Sequence, residues 1–164
     1  MDLEPYIDAH SHVWTPDTAH YPLAAGFKKD DMKPPSFTPA DLFKHSKPAG
    51  VTRINLIQMS FYGFDNSYML DMIKLYPEVF VGTAVIDPQA EPVKRMRELA
   101  GKGVRAFRIL PKLTKAEKWL EPPGYAAMFA EGAKAGQAMS CLINPADLPE
   151  LDRLLALVNR GPGT

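Results

Sequence analysis

Apolar and polar positions along this chain group into short strand-like runs that alternate with stretches of helical spacing. Tyr6 to His12 reads as a first strand. After a polar, proline-rich connection, Pro39 to Lys47 reads as a helix, with Thr38 placed to cap it. The apolar run from Arg53 to Met59 predicts a second strand, and Asn66 to Tyr76 predicts a helix that halts at Pro77. Phe80 to Ile86 is a third strand, closed by Asp87 and Pro88. Glu91 to Ala100 sets Val93, Met96, Leu99 and Ala100 at helical spacing and ends at Gly101 and Gly103. Val104 to Leu110, Tyr125 to Ala135, Ala138 to Ile143 and Leu148 to Val158 continue as strand, helix, strand and helix, before Gly161, Pro162 and Gly163 break the pattern.

Five βα units of this kind predict an α/β fold with a parallel sheet and helical crossovers, either rolled into a barrel or left open. An open doubly wound sheet would carry a glycine-rich phosphate turn after its first strand, and Ser11-His12-Val13-Trp14 is no such turn. A closed (β/α)8 barrel takes about 250 residues. With 164 residues, the expectation is a partial (β/α)8 barrel made of the first five units. Residues 1–164 would then form a single incomplete domain without strands six to eight. Strands one and five would each have a bare edge, and Ile54, Leu56, Val85 and Leu142 are expected to meet water. Both features favour self-association.

Composition narrows the class of partner. Nineteen basic residues balance nineteen acidic ones, 46% of residues are hydrophobic and 23% are charged. A neutral chain has no electrostatic footprint for nucleic acid or for an anionic membrane, which leaves a small-molecule substrate. One cysteine forms no intramolecular disulfide, and the first residues have neither the basic start nor the apolar run of a signal peptide, so a cytoplasmic location is expected. No stretch approaches the run of about 20 apolar residues that crosses a bilayer.

The candidate chemistry starts at His10 and His12. Residues two apart in a strand share a face, so both imidazoles should point the same way near the strand's C-terminal end, with Asp8 deeper on that face. Two neighbouring imidazoles can converge on one divalent ion, and they can equally cap a strand through backbone or water hydrogen bonds. The loop after strand two carries Gln58, Tyr62, Asn66 and Tyr68, at the end of the sheet where barrels build active sites. These are substrate-binding candidates, although Asn66 would also suit a helix cap and Tyr68 a core position. Arg108 lies near the C-terminal end of strand four. Its guanidinium offers a fork to a carboxylate or lactone oxygen, or a partner to a carboxylate of the barrel interior. His20, in an irregular loop, and His45, on the first helix, read as solvated surface residues.

Asp8-Ala9-His10-Ser11-His12 at the end of a first strand resembles the D-x-H-x-H opening of the amidohydrolase superfamily, and Trp14 resembles its amidohydrolase-related, lactonase-like branch. The resemblance continues through Gln58 to Tyr68, Thr83 to Pro88, Gly103 to Arg108 and Asn144 to Leu151, and so spans essentially the whole chain. It implies a metal-dependent hydrolase acting on a lactone or similar cyclic ester or carboxylate. His10 and His12 would be catalytic metal ligands, zinc the expected ion, and the general base an aspartate on an eighth strand. The branch's strand-five histidine falls here on Leu142, which cannot bind metal. Cys141 should face the opposite way. Some lactonases of the branch work without a metal, and that mechanism stays open. A related branch decarboxylates aromatic acids, so a lyase is the alternative enzyme, and a non-catalytic half-barrel module is the alternative of another class. The chain alone is expected to be inactive.

Overall fold

The computed structural model describes residues 5–110 and 123–160. Five strands, β1 (Tyr6–Ser11), β2 (Val51–Ile57), β3 (Phe80–Ala84), β4 (Val104–Ile109) and β5 (Ala138–Cys141), form one sheet in sequence order. Every neighbouring pair is parallel. The helices α1 (Pro39–Ser46), α2 (Ser67–Leu75), α3 (Pro92–Ala100), α4 (Pro123–Ala135) and α5 (Leu148–Arg160) alternate with the strands, and the whole curls into half of a barrel. The expected units are all present. Four strands stop one or two residues earlier than expected, because the chain leaves the ladder there to build the loops at the sheet's C-terminal end. The fifth stops at Cys141, two residues short of Ile143.

Local chemistry explains the boundaries. Thr38 Oγ1 accepts from the Asp41 amide, and the Asp41 carboxylate accepts from the Thr38 amide, a reciprocal cap that starts α1. Asn66 precedes α2 but does not cap it with its side chain. At Gly103 the backbone takes φ +91°, and a Cβ there would stand 2.6 Å from Ile73 Cγ2. Glycine is therefore what allows α2 to press onto the start of β4.

One face of the sheet lies beneath the helices and supplies the core. Ile54 and Leu56 on β2, Phe80 on β3, and Phe107 and Ile109 on β4 are each at most 1% exposed. Burying a side chain of this size contributes about 1.5–3 kcal/mol. This corrects the expectation that an open barrel would expose Ile54, Leu56 and Val85: the first two face the helix layer, and Val85 is buried as well. Leu142 is 51% exposed, as expected, and Ile7 and Val81 join it as exposed apolar groups. Among the described residues no helix is long and apolar enough to cross a membrane.

Candidate functional site

The inner face of the half-barrel carries polar residues that include Asn55, Thr83 and Arg108. Its most developed cluster lies where β1 ends. The β1–β2 ladder slips there: Asp8 and Ser11, three apart in sequence, stand opposite Ile54 and Leu56, which are two apart. Asp8 and Ser11 thus share the face of Ile54 and Leu56, and the Asp8 carboxylate accepts from the Ser11 hydroxyl at 2.6 Å and from the His10 amide at 2.9 Å. This corrects the expectation that Asp8 lies on the histidines' face. His10 and His12 flank Ser11 and take the opposite, inner face.

The two imidazoles meet. Their Nε2 atoms are 3.2 Å apart, with the rings edge to face. His12 Nδ1 lies 2.8 Å from the Ile57 carbonyl oxygen, which can only accept, so the proton of a neutral His12 sits on Nδ1 and its Nε2 presents a lone pair. Burial lowers the pKa of His12. The Ile57 carbonyl opposes that shift, and the charges of His10 and Arg108 add to it. His12 is thereby held as the neutral imidazole that a cation prefers.

Two nitrogens bound to one ion at about 2.1 Å each stand about 3.0–3.4 Å apart for bond angles between square and tetrahedral. The His10–His12 spacing fits that range, and the Ile57 carbonyl gives His12 the backing hydrogen bond that metal-ligating histidines commonly have. The pair therefore suits two positions of a cation's coordination sphere. Among the described residues no cluster of three or more histidine, cysteine, aspartate or glutamate side chains converges.

Arg108 is half-buried on β4, opposite Ser140 of β5. Its Nε is buried without a hydrogen-bond partner, and burial lowers its pKa. Its charge is felt at His12. An Nε so placed lacks an acceptor, and an anion would supply one.

The remaining candidates have protein partners. Gln58, 2% exposed, donates through Nε2 to the Asp65 carbonyl and so closes the loop after β2. Asn66, 1% exposed, donates to the carbonyls of Val85 (2.8 Å) and Phe64 (3.0 Å) and accepts from the Val85 amide at 3.1 Å. Its side chain joins the loop to the end of β3. Tyr62 accepts from the Thr15 amide, and Tyr68 packs edge to face on Tyr21 at 4.9 Å. Burial raises the pKa of both phenols. Gln58, Tyr62 and Asn66 thus spend their polar groups on the protein, and Tyr68 packs in the core.

Cys141 is half-buried with its thiol pKa raised by burial, on the face shared with Ile109. His20 is exposed beside Asp17, and His45 stacks on Phe37 at the surface. Sequence reasoning missed Asn55 and Thr83. Asn55 Nδ2 donates to the Ala9 carbonyl, next to His10 in the chain, at 3.1 Å and to Thr83 Oγ1 at 2.9 Å. The available signal was an amide set between the buried apolar residues Ile54 and Leu56.

The amidohydrolase family profile matches residues 7–158, and the chain belongs to that family. Among curated proteins none matches it. Solved structures with the same fold include a proposed 2-pyrone-4,6-dicarboxylic acid hydrolase from Pseudomonas putida (23% identity, TM-score 0.66, 93% of this chain and 53% of that one). Another, from Acinetobacter baumannii and with citric acid bound, has 20% identity, a TM-score of 0.65, and covers 89% of this chain and 54% of that one. A protein from Agrobacterium tumefaciens, solved without ligand, has 19% identity and a TM-score of 0.68, with 93% and 53% covered. The chain spans about half the length of these structures.

Proposed function

We propose that this chain forms the N-terminal five βα units of a single barrel domain that hydrolyses a lactone or similar cyclic ester bearing a carboxylate. The observation that carries this reading is Arg108, a half-buried guanidinium whose Nε has no acceptor, set close enough to His12 to disfavour its protonation. Relatives of the fold proposed to hydrolyse a pyrone dicarboxylate, one of them holding citrate, support an acidic substrate.

His10 and His12 would hold a divalent cation, zinc being the expected one. When bound, such an ion supplies an activated water and polarises the scissile carbonyl. Arg108 receives the substrate carboxylate through its guanidinium fork and orients the ring toward the histidines. The loop held by Gln58, Tyr62, Asn66 and Tyr68 walls the site and restricts water. His12, fixed by Ile57, keeps its Nε2 lone pair directed into the site. If no ion is used, His10 is the imidazole that can donate to the carbonyl oxygen through Nε2–H, since the one proton of neutral His12 is held by Ile57.

The test uses 2-pyrone-4,6-dicarboxylate as the probe. Calorimetry should show weak binding to the 164-residue chain that is lost in Arg108→Met. Ring opening should require the remaining barrel strands to be supplied. Unchanged binding by Arg108→Met would overturn the assignment. Release of carbon dioxide instead of the ring-opened acid would replace it with a decarboxylase.

A further inference from the structure

We infer that Asn55 is a positioning residue for the histidine pair, because it clamps the irregularity in β1 that turns both imidazoles to the inner face. The inference rests on reading His10 and His12 as the reactive pair. Between the Asp8–Ile54 and Ser11–Leu56 matches, two residues of β1, Ala9 and His10, stand against the single residue Asn55. That is the two-against-one arrangement of a β-bulge, which re-aims the side chains that follow it. In an uninterrupted ladder His10 would fall opposite Leu56. It would then point with His12 toward the helix layer, because a one-residue slip moves every side chain to the other face.

Asn55 sits at the point of the slip, and its side chain holds the bulged backbone. Nδ2 donates to the carbonyl of Ala9, the residue before His10, at 3.1 Å. The amide is itself fixed by Thr83, whose Oγ1 accepts from Nδ2 at 2.9 Å and donates to Oδ1 at 3.1 Å. Thr83 is fully buried, so this exchange is partly shielded from water. Two residues further along β2, Ile57 offers the carbonyl that orients His12. One strand therefore anchors both histidines, His10 through its backbone and His12 through its ring.

The experiment reads imidazole tautomers in the ion-free 164-residue chain by long-range proton–nitrogen NMR, alongside zinc affinity from chelator competition. In the unaltered chain His12 should carry its proton on Nδ1 and His10 should present Nε2–H toward it. Asn55→Leu should return His10 toward the tautomer mixture of a free imidazole and weaken zinc by roughly tenfold or more. Asn55→Asp removes the donor to Ala9 while keeping an acceptor for Thr83, and it should do the same if Asn55→Leu does not fold. Variants that melt earlier yet leave both imidazole signals and zinc affinity unchanged would show that Asn55 only stabilises the sheet, and would overturn the inference. The tautomer readout needs neither substrate nor ion, so it stands or falls apart from the lactone reading.

Discussion

His12 is locked to β2 by the 2.8 Å contact between its Nδ1 and the Ile57 carbonyl, and this contact leaves its Nε2 free to face His10. The site thus has one rigid imidazole and one that meets it, with Arg108 as the nearby positive charge.

Arg108 is predicted to be a functional residue held at a cost to stability. A guanidinium with a buried, unpartnered Nε gains little from the fold, and replacing such a group by an apolar one of similar length is often neutral or stabilising. Arg108→Met should leave the melting temperature unchanged or raise it while abolishing carboxylate binding. A marked drop in melting temperature would mean that Arg108 is a structural residue.

Asn66 is predicted to be the opposite case. Its amide makes three hydrogen bonds within the protein at 1% exposure, two of them to the backbone of Val85. Asn66→Leu would strand those buried groups, at about 1–3 kcal/mol each. Urea denaturation should show a loss of about 2–4 kcal/mol. A loss below about 0.5 kcal/mol would contradict the clamp.

The acid dependence of α1 follows from Asp41. Its bond to Lys44, and then its bonds to Thr38, lower its pKa from 3.8 to about 2. A depressed carboxylate contributes stability above its unfolded pKa and loses it as pH falls through the folded one, here from about 4 down to 2. Hydrogen exchange of the α1 amides should accelerate relative to α2 across that window. Asp41→Asn should remove the dependence, and if it persists the cap is not its cause.

Much of this was legible in the sequence for a physical reason. The strands read correctly because their apolar runs are bounded by proline and glycine, and Thr38 declared the start of α1. The convergence of His10 and His12 followed from two-residue spacing. The face they occupy did not, because it depends on a ladder slip that no period in the sequence records. The same limit misplaced Asp8. Ile54 and Leu56 were assigned to the wrong layer although Arg53 and Asn55 alternate with them in sequence, because an alternation separates two faces without saying which one the helices cover. Asn66 was visible as a polar residue at a helix start, and only the fold shows that it bonds Val85 instead of capping α2.

The sheet is predicted to associate. β1 and β5 each have one neighbour, and Ile7, Val81 and Leu142 are 58%, 38% and 51% exposed. Open edges beside apolar surface template contacts between chains. Sedimentation of the 164-residue chain at roughly micromolar concentration should show dimers or larger species. A monodisperse monomer with a cooperative melt would show that the five units suffice alone.

The most direct test of the account is a cobalt(II) titration of the chain, followed by its visible absorption. Two imidazoles 3.2 Å apart should bind one ion weakly, since a zinc-type site normally uses three or four protein ligands. His10→Ala and His12→Ala should each abolish the signal, and Cys141→Ser should leave it unchanged. Cobalt binding that survives in the His10→Ala/His12→Ala double variant would contradict the claim that these two residues form the ion-binding core of the site.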